Sequence, residues 1–115
     1  ELAKVYTDFK AQTGADFYII TAFYMFEMLA KAMDKAGTTD PTAVAAALEG
    51  LTYDSWFGPL EMRADNHQIN LPMFVARFSK DVKYDVENTG MGWRTSTTLS
   101  AADSALPTTC EMKRP

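Results

Sequence analysis

The chain has 115 residues, of which 47% are apolar and 23% charged, with a formal net charge of −4; that is one modest domain of globular composition, not a disordered tail. Its basic residues are scattered singly apart from Lys113-Arg114, which excludes the basic patch that nucleic acid or anionic lipid requires. The longest apolar run, Phe17 to Phe26, is about half of the roughly 20 residues needed to span a bilayer. It therefore reads as a buried helix, not as a membrane-embedded one.

Leu2, Val5, Tyr6 and Phe9 fall at i, i+3, i+4 and i+7, the stripe of an amphipathic helix, and Gly14 sits where a C-cap would end it. The chain begins without Met, already inside this helical pattern, as a piece of a longer protein would. A second helix is predicted from near Asp16, as N-cap, to about Ala36, with Gly37 closing it. Its first half is apolar nearly all round, so it should be buried between other elements. Residues 15–20 fit a short strand end equally well, since Phe, Tyr and Ile favour strands.

Asp40 followed by Pro41 marks the start of a third helix, with Val44, Ala47 and Leu48 as its buried stripe and Gly50 as its end. Beyond Gly50 the period changes from 3.6 to 2. Gly58 to Arg63 alternates like a half-buried strand, and Asp65-Asn66 marks a turn. Ile69 to Phe78 is apolar on both faces, the pattern of a central strand covered on both sides, with Pro72 at its start. Lys80-Asp81 is a turn, and Val82, Tyr84 and Val86 predict a short returning strand. From Glu87 onward the pattern dissolves into a tail that wraps a surface, with one helical turn around Ser100–Ser104.

Catalytic chemistry has almost no footing. His67, the one histidine, follows a turn and reads as a turn residue. One His and one Cys cannot supply a zinc site, and a nucleophilic triad has no second candidate base. Gly90-Met91-Gly92 lacks the third glycine of a dinucleotide fingerprint and reads as a flexible turn. The Asp65–Asn70 run lacks the glycine of a calcium loop. Asp54, Glu61 and Asp65 fit solvated faces better than a catalytic pair. Cys110 is either a buried thiol or the partner of a cysteine outside this chain. The aromatic residues Phe17, Tyr18, Phe23, Tyr24, Tyr53, Trp56, Phe57 and Trp93 say more: they fill a core, or those at the mouth of the second helix line an apolar pocket with a polar tip.

Certain runs also occur in a familiar order: Tyr24 through Leu29-Ala30-Lys31-Ala32 to Lys35-Ala36-Gly37, then Thr39-Asp40-Pro41, Val44 and Ala47-Leu48-Glu49-Gly50. Gly58-Pro59-Leu60, Asp65-Asn66-His67-Gln68, Pro72 and the Met73–Phe78 strand follow, and Lys80 to Val86 closes the series. Over about sixty-five residues this resembles the C-terminal region of type I periplasmic solute-binding proteins of the branched-chain amino acid (leucine/isoleucine/valine) family. Two features depart from that pattern. Asn66 stands where glycine is usual, which Asn tolerates because it accepts positive φ. The long tail with Cys110 is similar to those of relatives that take up aromatic or other organic acids.

The resemblance implies an α/β fold, part of a type I periplasmic-binding-protein fold with helices packed on a mixed sheet, in an incomplete lobe. It implies a periplasmic receptor, with no enzyme activity and no cofactor, that captures a small amino acid or an aromatic acid in an interlobe cleft. Delivery would be to an ABC permease. Residues 1–78 would form the C-terminal part of the first lobe (three helices, two strands), and residues 79–115 the hinge crossing, a short strand and the tail of the second. The ligand's side chain would be touched at Ile19, with Tyr18 and Phe17 as neighbours, and its charged ends held upstream. The alternative from another class is a stand-alone α/β protein-interaction module. Without the rest of the lobe, roughly 1000 Å² of apolar surface would stay uncovered, worth about 25 kcal/mol as an upper value. Self-association, or the missing N-terminal chain, should then be needed for stability.

Overall fold

A computed structural model describes residues 2–17, 20–85 and 87–114. The elements in chain order are α1 (Leu2–Thr13), α2 (Ile20–Ala36), α3 (Pro41–Leu48), β1 (Thr52–Ser55), β2 (Gly58–Met62), β3 (Ile69–Asn70), β4 (Met73–Ser79), β5 (Gly92–Leu99) and α4 (Ala101–Ser104).

α1 follows its stripe: Leu2, Val5, Tyr6 and Phe9 are half-buried, and the Gly14 N–H closes it on the Lys10 carbonyl at 2.9 Å. α2 starts at Ile20, four residues after Asp16. Asp16 is tied to α1, accepting from the Tyr6 hydroxyl at 2.8 Å and pairing with Lys10 at 2.7 Å. At the other end Gly37 takes φ +65° and donates to the Met33 carbonyl at 2.9 Å. That left-handed cap carries no Cβ penalty only in glycine.

α3 forms as its cap predicts. The Asp40 carboxylate accepts the Ala43 N–H at 2.9 Å, and Pro41 occupies the first turn, where no N–H is needed. Asp40→Ala is expected to cost about 1 kcal/mol, which a thermal melt followed at 222 nm would register as a lowered Tm.

The core is one seam. Tyr24, Met28 and Ala32 are buried at four-residue spacing on α2, Val44 and Ala47 on α3, and Leu60 and Met62 on β2. The wider stripe expected of α2 is not buried: Met25 and Phe26 are 61% and 73% exposed. A helix apolar all round needs neighbours on every side, and α3 and the first sheet cover one.

The sheets differ most from expectation. β1 carries no clear alternation, yet it pairs antiparallel with β2 from Thr52↔Glu61 to Ser55↔Gly58. The Gly50 and Met62 N–H groups extend that ladder to Met62 O and Leu51 O. The single strand expected over Ile69–Phe78 is two: β3 joins β2 in a three-stranded sheet, and β4 pairs with β5 in a separate hairpin. Pro72, which lacks an N–H for any ladder, lies just before β4 at the break.

β4 is not a covered central strand. Met73, Phe74, Val75 and Phe78 are 45–54% exposed, because the one strand beside it among the described residues is β5 and no helix packs over its faces. The returning strand is also not where alternation placed it. Residues 82–85 are irregular and Val86 lies outside the described residues; β5 returns instead. A bulge between Val75 and Ala76 places Ser96 opposite neither, and its hydroxyl donates to Val75 O at 3.0 Å. Among the described residues all strand pairs are antiparallel, whereas a mixed sheet was expected. The predicted helical turn is α4, capped by the Ser100 hydroxyl on the Asp103 N–H.

Candidate functional site

Aromatic residues gather at the N-terminal end of α2. Phe23 stacks on Trp56 at 5.2 Å and 21° between planes, while Tyr24 meets Tyr53, Trp56 and Phe57 at 5.8–6.2 Å. Trp56 and Phe57 form the two-residue tip between β1 and β2, so the hairpin register sets where they sit. The Ser55 hydroxyl holds that tip, donating to Gly58 O at 2.6 Å and accepting from Phe57 N–H at 3.1 Å. Phe57 extends the wall to Phe74 at 5.7 Å.

Tyr24 is the buried member, 4% exposed. Its hydroxyl is sealed from solvent without a partner in hydrogen-bonding geometry, although the Trp56 amide and Ser55 hydroxyl lie beside it. Burial pushes the phenol up, and those two neighbours pull the other way. Phe23 and Phe57, at 37% and 39% exposed, present ring surface outward. The wall is thus core on one side and free aromatic surface on the other, so both readings of the aromatic residues hold for different members.

Behind the wall an apolar groove of about 580 Å³ runs between α2 and the first sheet, lined by Tyr24, Met28, Leu48, Leu60, Met62 and Ile69 among others. Nothing in it offers a reactive pair. Such a groove can accept aliphatic or aromatic groups by desolvation and shape.

Of the three residues expected to touch a ligand, Phe17 is half-buried and packs on Phe9 at 5.0 Å. Tyr18 and Ile19 lie outside the described residues. Sequence reasoning named Trp56 only as one aromatic among many, because its place beside Phe23 depends on the β1–β2 register.

The other candidates resolve individually. His67 is a turn residue, as expected, but it, not Asn66, takes the left-handed conformation, with φ +54°. Asn66 keeps the turn by accepting the Gln68 N–H at 2.9 Å. Asp65 pairs with Arg63 at 2.5 Å, while Asp54 and Glu61 are exposed on the first sheet. Cys110 is exposed, which overturns the buried reading, since the irregular tail offers no core to receive it. Gly92 is less a flexible turn than a close approach, for a Cβ there would lie 2.8 Å from the Tyr84 carbonyl. Among the described residues no group of three His, Cys, Asp or Glu could hold a metal ion, and no helix is long and apolar enough to cross a membrane.

Comparison with known proteins places this arrangement. Residues 2–83 match the model of a periplasmic binding protein family. The Leu/Ile/Val-binding protein homolog 4 of Brucella abortus (strain 2308) is 32% identical over 81 residues, covering 69% of this chain and 20% of that protein. The protein of the same name from Brucella suis biovar 1 (strain 1330) matches equally. In three dimensions the chain is similar to a leucine-, isoleucine-, valine-, threonine- and alanine-binding protein from Brucella ovis in its closed conformation. The TM-score is 0.82 at 26% identity, over 98% of this chain and 31% of that one. The chain thus spans about a fifth of the length of the curated relatives it matches, and its helices and hairpins are part of a type I periplasmic-binding-protein fold. With most of its length matched by the family model, the chain belongs to the periplasmic binding protein family.

Proposed function

We propose that this chain is the C-terminal part of a periplasmic receptor that captures a small amino acid, or an aromatic or other organic acid, and hands it to an ABC permease. The observation that supports the reading is the aromatic wall at the start of α2, where Phe23 and Trp56 stack and leave ring surface exposed. Relatives named for leucine, isoleucine and valine binding support an apolar side chain as the part of the ligand met here. Phe17, Tyr18 and Ile19 would touch that side chain. The amino and carboxylate groups would be held by residues outside this chain, across an interlobe cleft closed by hinge motion. Residues 1–78 would belong to one lobe and 79–115 would carry the hinge crossing and the tail of the other.

The test is calorimetric titration of a receptor containing this chain as its C-terminal part with leucine, valine, phenylalanine and benzoate. One of them is expected to bind, and Phe17→Ala to weaken it by about 10- to 200-fold, the range for one apolar contact in a pocket. Binding by none, or full affinity in Phe17→Ala, would overturn the assignment.

A further inference from the structure

After α4 the described residues 105–114 form no helix or strand, yet they run back across the β2–β3 turn and are tied down at two places. At the near end the Ser104 hydroxyl donates to Leu71 O at 2.8 Å, and Arg63 Nη1 donates to Leu106 O at 2.5 Å. At the far end Arg114 Nε donates to Glu49 Oε1 at 2.7 Å, and Arg114 Nη2 donates to Ala64 O. Between them the segment roofs a groove of about 640 Å³ floored by Arg63, Gln68, Asn70 and Leu71. Packing holds it only lightly: Leu106 is 76% exposed, and Thr108 and Met112 are half-buried.

The far fastener converges on one carboxylate. Glu49 stands just past α3, its backbone N–H on Ala46 O, and its Oε1 also meets His67 Nε2 at 3.1 Å. Three cations face this corner: Arg114 from the tail, His67 (when protonated) from the β2–β3 turn, and Lys35 of α2, whose Nζ donates to Ala47 O at 2.9 Å. The neighbouring Asp65 is engaged by Arg63. We infer that residues 105–114 are a strap latched by the Glu49 carboxylate, and that cancelling its charge frees the far end of the strap while α1 to β5 stay folded.

The fastener is half-exposed and holds a lightly packed segment, the setting in which a local opening falls well below global unfolding. Acid should work the latch. The hydrogen bond from Arg114, then that from His67, hold the Glu49 carboxyl below the usual carboxylate range. A carboxyl so lowered contributes its full hold above its unfolded value and loses it as pH falls through the lowered one. A protonated His67 adds to the latch, so acid opens the strap only where Glu49 itself takes up a proton.

Cys110 is this chain's one cysteine and is exposed, so in a receptor containing this chain, with any cysteine elsewhere replaced, a nitroxide attached there reports the motion of the strap. At neutral pH the label on the wild-type chain is expected to be restricted. Glu49→Gln and Arg114→Gln should each speed its motion several-fold without change in circular dichroism, and acidifying the wild type should speed it likewise. The Arg114 side chain is half-exposed and outside the buried seam, so Arg114→Gln remains informative if Glu49→Gln misfolds. Identical spectra for wild type and Arg114→Gln at neutral pH, or an acid transition unchanged by Arg114→Gln, would overturn the latch.

Discussion

Replacing Met28 with alanine is expected to lower the free energy of unfolding by about 2–5 kcal/mol, a large share of the roughly 5–15 kcal/mol that holds a domain together. Met28 is 1% exposed, the one large side chain sealed so completely among the described residues. It lines the groove with Leu48, Leu60 and Met62, where α2, α3 and β2 meet. Removing its thioether leaves a cavity at that junction, and Ala32 beside it on α2 is too small to fill the space. Met25→Ala, on the same helix but 61% exposed, should change stability by less than about 0.5 kcal/mol. Urea titration followed by the fluorescence of Trp56 and Trp93 measures both. Equal effects would mean that the seam between α2 and the first sheet is not the core.

The second large effect concerns association. The chain exposes 8432 Å², whereas a folded monomer of 12.8 kDa should expose about 6300 Å². Its radius of gyration is 17.2 Å, against about 13 Å for a compact domain of this length. The excess of about 2100 Å² includes Met25 and Phe26 on α2 and Met73, Val75, Phe78 and Trp93 on the β4–β5 hairpin. If a little over half of it is apolar, covering it is worth on the order of 30 kcal/mol as an upper value. That exceeds the whole stability of an ordinary domain. The isolated chain is therefore expected to self-associate at micromolar concentration, and to become monodisperse when joined to the remainder of the receptor proposed above. Light scattering decides it: a compact monomer near 12.8 kDa would show that the exposed apolar surface is tolerated.

Local chemistry determined much of this protein. The Asp40-Pro41 start of α3, the ends at Gly14 and Gly37, the stripe of α1, β2, the Pro72 boundary and the turn at Ser100 were all legible, because each depends on one residue's dihedral or hydrogen-bond preferences and those of neighbours within a helical turn. The ordered motifs carried the family, since they pack the helices in a shared way. The tertiary structure decided what depends on distant partners. Thr52–Ser55 and Gly92–Leu99 become strands because β2 and β4 supply their hydrogen bonds, not because their own residues alternate. Trp56 joins the wall through the register of a hairpin. Glu49, His67 and Arg114 meet although 65 residues separate the first from the last. The two-faced apolar pattern of β4 was legible too, but such a pattern states what a strand needs covered. Only the fold shows that this chain leaves both faces of β4 largely open.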